Sequence, residues 1–298
     1  MSENQQYGLG RVPSTPDDRD YDLADYLPGT SKTAADPAAL ATEAIAELKL
    51  TTRSYEFYAS KGETPGPTTH WGKALALLEQ IAGVTPPPPS PPPSGTENPW
   101  KNPDATLNQG QYGTCVGNGW SQWANTDPVN DNYDEGPFGV EGAATNGGPH
   151  ARAVYYEATV IDGSPDDPDA PGGGEQGSQV RSGAKAMQNR GRLQTYAFAS
   201  TLDDALTFLA TKGPVVVGSD WMHDMFNPDA NGLVTPTGGV AGGHCFLMIG
   251  YDASTGLIEF LNSWGSSWGV GGRFFMQKAD FNQLFTSRGE LCAAVELA

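Results

Sequence analysis

The spacing of apolar residues changes part-way along the chain. Between residues 115 and 212 they recur at helical intervals. Val116, Trp120 and Trp123 share one face of a segment at 115–125, and Ala151, Val154, Tyr155 and Ala158 form a stripe at 149–161. A third helix is predicted from a Ser178 cap to Gly191, and a fourth from about Leu202 to Lys212. After Gly213-Pro214 the period becomes two. PVVVGS, HCFLMIGYD, GLIEFLNS and GRFFMQ are short β-rich runs separated by glycine-containing turns. Helices followed by strands predict an α+β fold with a cleft where the two halves meet.

Upstream the pattern thins. TPPPPSPPPSGT, residues 85–96, holds seven prolines in twelve positions. Such a run is a semi-rigid polyproline spacer, reaching roughly 35 Å at about 3.1 Å per residue. It marks a linker, 85–97, between an N-terminal region, 1–84, and a body, 98–298. The N-terminal region opens with the polar, turn-rich GRVPSTPDDRDYD. Two amphipathic helices are predicted after it, one starting at Asp36-Pro37 and carrying Leu40, Ala44, Ile45 and Leu48, the other at 69–82. Acidic loops at 126–136 and 162–175 interrupt the body. Asp162, Asp166, Asp167 and Asp169 lack the spacing and central glycine of a calcium loop, so a solvated acidic loop is expected.

Charge narrows the partners. With 35 acidic and 17 basic residues the net charge is −18, a field that repels nucleic acid and anionic membranes, so neither is an expected partner. MSENQQYGLG has no apolar run behind a basic flank, and no segment reaches ~18 uninterrupted apolar residues. Synthesis in the cytosol is therefore expected, with association with a particle or non-classical export left open. Three cysteines, Cys115, Cys245 and Cys292, cannot build a disulfide framework. No cofactor or metal is called for.

The chemistry concentrates at three points. In NQGQYGTCVGNGW, Cys115 stands where a glycine-rich turn gives way to a helix, whose first N–H groups favour a thiolate. His244 follows Gly242-Gly243 at the start of a predicted strand. Alternation puts His244, Phe246 and Met248 on one face and Cys245, Leu247 and Ile249 on the other, so Cys245 is expected to pack in the core. Asn262 ends the run IEFLN, where its side-chain carbonyl can orient an imidazole, with Trp264 placed to shield that hydrogen bond. The other histidines, His70, His150 and His223, have no comparable setting.

NQGQYGTC, GGHCFLMIGY and LNSWGSSWG together resemble the papain family of cysteine peptidases, with 129 residues from Cys115 to His244 and 18 from His244 to Asn262. The resemblance implies a two-lobed fold, with a helical left lobe, an antiparallel sheet or barrel as right lobe and the active site between them. It implies catalytic roles for Cys115, His244 and Asn262, and an oxyanion hole from Gln109 and the Cys115 N–H. Trp264 would cover the triad and Trp268 would line the primed side of the cleft. EQGSQVRSGAKAMQNRG resembles the family segment whose backbone, here near Gly177 and Ser178, pairs with an extended substrate. GPVVVGSDW resembles the strand walling the main specificity pocket, with Gly218 and Trp221 as the candidates. Tyr112 and Val116 depart from papain itself, and in this the chain resembles bacterial and viral members that carry few disulfides. GRVPSTPDDRDYD resembles a leader that precedes the peptidase domain in bacterial relatives.

The expected activity is therefore that of a cysteine endopeptidase working through an acyl-thioester on polypeptide substrates. The alternatives on the same scaffold are an acyl or peptidyl transferase and a non-enzymatic binding module. Residues 1–84 have two readings as well: an inhibitory propeptide that binds the cleft, or a module that docks a separate partner.

Overall fold

The computed structural model describes residues 7–15, 17, 20–27, 100, 107–129 and 149–295. The helices predicted within 36–55 and 69–82, the proline run and most of the 126–136 loop lie outside them. The chain divides into two compact units, Met1–Ser14 with Pro93–Ala298, and Thr15–Pro92. Of the second, the described part is a short strand β2 (Tyr21–Asp22) and a 3-10 turn (Leu23–Tyr26), where the Asp22 side chain accepts from Ala24 N at 3.0 Å.

The larger unit starts with β1 (Arg11–Val12) and continues with the helices α1 (Cys115–Asn125) and α2 (Pro149–Ile161). Then come β3 (Ser178–Gln179), α3 (Val180–Asn189), β4 (Thr195–Phe198) and α4 (Leu202–Thr211). The remainder is β5 (Val215–Met222), β6 (Val240–Asp252), β7 (Leu257–Leu261), β8 (Arg273–Gln277), α5 (Lys278–Arg288) and β9 (Glu290–Val295). The sheet runs β4-β9-β5-β6-β7-β8 through this unit, every pair antiparallel, and is open rather than closed into a barrel.

Period-two alternation gives the sheet two different faces. Cys245, Leu247 and Ile249 of β6 join Val216, Leu261 and Cys292 against Val116, Trp120 and Trp123 of α1 and Val180, Ala184 and Met187 of α3. On the other face, Phe246 packs against Phe260 and Phe274, and Phe260 against Phe281 of α5, with centroids 4.9–5.3 Å apart. Every residue of α1 is buried, so this helix is central to the body.

Small residues let the helices approach. A Cβ added at Gly117 would lie 2.2 Å from Ala151 O of α2, and one at Gly183 would lie 2.3 Å from the Trp120 ring. The 162–175 loop is less solvated than its composition predicts. Asp166 is buried and accepts from Tyr155 Oη at 2.6 Å and from the N–H groups of Gly174, Glu175 and Gln176. Burial alone would raise its carboxyl pKa, but these hydrogen bonds hold it below the usual value.

Three local expectations need correction. Ser178 is not the cap of α3, because its hydroxyl donates to Asp162 at 2.6 Å and Gln179 takes the cap position. β6 begins at Val240, so His244 sits inside the strand. β4, α5 and β9 appear where no element is predicted. β4 has only four residues, α5 buries just Phe281 and Leu284, and β9 is built largely of small side chains.

Replacing Gly117 by Ala should force α1 and α2 apart. Urea unfolding should show a loss of about 1–3 kcal/mol, the usual cost of overpacking a tight core contact.

Candidate active site

Cys115 is the first residue of α1 and is fully buried. Thr114 occupies the cap position without capping a helix N–H, and its Oγ1 accepts instead from Asn118 Nδ2 of α1 at 3.1 Å. The turn before it is fixed by Gly113 N donating to Gly174 O at 2.6 Å.

His244 projects from the aromatic face of β6, and its Nε2 lies 2.8 Å from Asn262 Oδ1. The same oxygen accepts from Ser263 N at 2.8 Å, which identifies it as the carbonyl of the amide. Nε2 therefore carries the proton and Nδ1 the lone pair. Nδ1 is buried and has no hydrogen-bond partner among the described residues. Trp264 stacks on the imidazole at 4.6 Å, and Trp221 meets it edge-on at 4.9 Å.

Gln109 reaches the same place through a backbone seam. Gln109 N donates to Ser263 O, Gly265 N donates to Leu107 O, and Asn108 bridges to Trp264. The Gln109 side chain is fixed at both ends. Oε1 accepts from Ser263 Oγ at 2.5 Å, while Nε2 donates to Tyr112 O at 2.8 Å and to Gly8 O at 3.2 Å.

Gly8 belongs to a strip of chain, residues 7–14, that lies in the cleft between helices and sheet. Trp264 Nε1 also donates to Gly8 O, at 3.3 Å, and Tyr7 stacks on Trp264 at 4.7 Å. Gly10 N donates to Gly243 O at 3.0 Å, and Gly10 O accepts from Ser178 N at 2.8 Å. Arg11–Val12 then runs parallel to Ser178–Gln179. The fit is too close for side chains at alternate positions. A Cβ on Gly8 would lie 1.9 Å from Tyr112 O, and one on Gly10 would lie 1.9 Å from Gly113 O. Gly177 (φ +78°) and Gly243 are constrained from the other side, since a Cβ on either would come within 2.0 Å of this strip.

Enclosure sets the charge state. Burial pushes the Cys115 thiol up to about 12, although backbone groups of Cys245, Gly10 and Val116 and the Arg11 charge act against it. Burial also pushes His244 down to about 4, against the Asn262 hydrogen bond. With residues 7–14 seated, thiol and imidazole are both neutral.

The other predicted site residues fall into two groups. Gly177, Ser178 and Gly218 border the strip, and a Cβ on Gly218 would lie 2.9 Å from Arg11 Nε. Trp221 and Trp268 lie elsewhere. Trp221 is fully buried on the opposite face of β5 from Gly218, against His244, Phe246, Trp264 and Phe274. Trp268 closes this aromatic cluster and donates Nε1 to Phe226 O at 3.0 Å. All three cysteines are free thiols, and Cys245 and Cys292 pack in the core. Tyr7, Gly8, Gly10, Arg11, Ser263 and Glu290 are part of the site without having been singled out. The alternation Tyr-Gly-Leu-Gly-Arg at 7–11 is the signal that could have found the first four.

A family model described as papain family cysteine protease matches residues 139–290, about half of the chain and including His244 and Asn262. The chain belongs to the papain family. It is a cysteine peptidase, a hydrolase that acts on polypeptides. Xylellain, a cysteine protease from Xylella fastidiosa, has a similar structure, with TM-score 0.56 at 15% identity over 100% of this chain and 99% of that one. Procathepsin B S9 from Trypanosoma congolense matches at TM-score 0.44 and 11% identity over 65% of this chain and 72% of that one. Procathepsin L 3 from Tenebrio molitor larval midgut matches at 0.46 and 13% over 70% and 71%. No curated sequence matches the chain. Among the described residues no helix is long and apolar enough to cross a membrane.

A neutral buried His244 ties stability to pH. Its folded pKa of about 4 lies below the unfolded value near 6.5, so its contribution is complete above pH 6.5 and is lost as pH falls toward 4. Urea midpoints should fall across this window, by up to about 3 kcal/mol from this residue. The fall should be smaller in His244→Gln.

Proposed function

We propose that the papain-family peptidase acts through Cys115, His244, Asn262 and Gln109, and that residues 7–14 hold it latent. The carrying observation is the state of His244. Nε2–H is engaged by Asn262 at 2.8 Å, which leaves Nδ1 as the base.

Once the cleft is open, Nδ1 takes the Cys115 thiol proton and the thiolate attacks the carbonyl carbon of the scissile peptide bond. The carbonyl oxygen becomes an oxyanion, held by Gln109 Nε2–H and the Cys115 N–H. Collapse breaks the C–N bond as the imidazolium returns its proton to the departing amine. Nδ1 then deprotonates water, which attacks the thioester and releases the acid and the thiol. Gln109 Nε2 already donates to a peptide carbonyl, that of Gly8, which supports this role.

The same carbonyl supports latency. Residues 7–14 use the donors that a substrate needs, but run the wrong way. Gly8 lies by Gln109 and Trp264, and the chain proceeds from N to C terminus toward β3. A substrate whose acyl part pairs with Gly177 and Ser178, and whose leaving part passes Trp268, runs in the opposite direction. Reversed polarity fills the cleft without presenting a cleavable bond.

Two experiments test these roles. Cys115→Ala should abolish peptide hydrolysis and labelling by a thiol-directed epoxide, and Gln109→Ala should lower kcat about 10²–10³-fold. Unchanged turnover in Cys115→Ala would sink the assignment. Gly10→Ala should dislodge the strip, because its Cβ has no space. Epoxide labelling of Cys115 in the full chain should then be at least about tenfold faster than in wild type, one decade for each 1.4 kcal/mol of seating energy lost. Equal rates would remove the latency.

A further inference from the structure

Gly172, Gly173, Gly174 and Gly177 give the stretch before β3 wide backbone freedom in the unfolded chain. Three side chains remove that freedom on folding. Asp166 Oδ1 accepts from Gly174 N at 2.8 Å, and its Oδ2 accepts from Glu175 N and Gln176 N, both at 2.9 Å. Tyr155 Oη donates to the same carboxylate at 2.6 Å and accepts from Gly177 N at 3.1 Å. Beyond this point Asp162 takes over. Its Oδ2 accepts from Ser178 Oγ at 2.6 Å and from Gln179 N at 3.2 Å, and its Oδ1 from Ser182 Oγ at 2.5 Å. Of the six consecutive N–H groups from 174 to 179, five are therefore engaged by these three side chains. The sixth, Ser178 N, donates to Gly10 O at 2.8 Å. Gly177 (φ +78°) supplies the turn that points this one donor into the cleft.

Resting on the catalytic assignment above, we infer that Tyr155, Asp162 and Asp166 are positioning residues that make the enzyme sensitive to substrate length. They hold the 174–179 edge so that the Ser178 N–H meets a backbone carbonyl of the bound chain. They act through this edge and not on the reacting atoms. Removing one of their acceptors leaves donors of the edge unpaired, and those donors then compete to turn elsewhere. An edge ordered in advance spares the substrate the cost of ordering a glycine-rich loop, which would otherwise subtract from affinity. Residues 7–14 show what the edge does to a chain laid against it. Gly10 O takes the Ser178 N–H, and Arg11–Val12 runs along β3. A backbone donor reads a peptide whatever its side chains. Its contribution therefore depends on how far the substrate extends, not on its sequence.

The test leaves Asp166 in place, because Gly174 O also accepts from Gly113 N in the turn before Cys115. It uses Tyr155→Phe, which keeps the ring and removes the hydroxyl, and Asp162→Asn, whose amide cannot accept through both ends. In the full chain with residues 7–14 in place, exchange of the Ser178 amide is followed by NMR. It should be at least about tenfold faster in the double variant than in wild type, the order of one net hydrogen bond. Tyr155→Phe alone should show a smaller rise, and amides of β7 should keep their rates. An unchanged Ser178 rate, or a rise shared by β7, would overturn the positioning role. Activity is read in Gly10→Ala, with glycine para-nitrophenyl ester and with the same ester extended by three N-terminal alanines. The double variant should raise KM for the extended ester at least about tenfold at unchanged kcat, the mark of lost uniform binding. The single-residue ester, which has no carbonyl to reach Ser178, should be unaffected. An equal loss on both esters would also overturn the role. Faster Ser178 exchange, with neither ester hydrolysed by a chain that carries Cys115, would instead overturn the catalytic assignment and leave the edge standing.

Discussion

A thiol, an imidazole and two amide side chains, all fully buried, form the polar centre of this molecule. Buried polar groups must either find partners or give up their charge. Both happen here. Gln109 is hydrogen-bonded through both ends of its amide and Asn262 through Oδ1, while Cys115 and His244 become neutral. Part of the enclosure comes from residues 7–14, more than a hundred positions upstream of Cys115, and part from Trp264 and Trp221 on the His244 ring. Several local features follow from that one need for cover. Gly8 and Gly10 leave room for backbone to pass, Gly177 and Gly243 receive it, and the Arg11 charge meets Glu290 at the end of the strip.

The fold supplies the frame through the two faces of β6. One face carries Cys245 into the core shared with α1, which fixes the helix that begins at Cys115. The next residue in the other direction, His244, points into the aromatic cluster, where Trp264 and Trp221 hold its ring. A one-residue slip of β6 against β5 would exchange these two side chains between faces. Pairing over eight residues, from Val215↔Met248 to Met222↔Val240, opposes such a slip. The seam between residues 107–109 and 263–265 does the same for Gln109, tying it to the loop that carries Asn262 and Trp264.

Much of this was legible in the chain, for physical reasons. The stripes at 115–125 and 149–161 are long enough for period to identify a helix, and the alternation in HCFLMIGYD separates the faces of His244 and Cys245 correctly. The pairing of His244 with Asn262 was visible because each sits in a distinctive glycine- or tryptophan-marked setting. What escaped depends on contacts between distant segments. Four residues of β4 carry too little pattern, and α5 buries two side chains without a stripe. The acidity of 162–175 concealed Asp166, whose burial depends on Tyr155 and on three backbone N–H groups supplied by the loop's own fold. GRVPSTPDDRDYD reads only as polar and turn-rich, because glycines that fit a cleft are indistinguishable in sequence from glycines in a loose loop.

On the proposed latency, residues 7–14 act in a second way besides occupying space. Burial pushes the Cys115 thiol up to about 12 and the His244 imidazole down to about 4, and both shifts oppose forming a thiolate and an imidazolium. The neutral pair therefore wins while the strip is seated, whatever peptide is nearby. Water entering a vacated cleft acts on both groups in the same direction, lowering the thiol and raising the imidazole. Vacating the cleft thus supplies the donors for a substrate carbonyl and the conditions for a thiolate together. On that reading the Arg11–Glu290 ion pair, which ties the strip to the wall of the cleft, also bears on the charge state of Cys115.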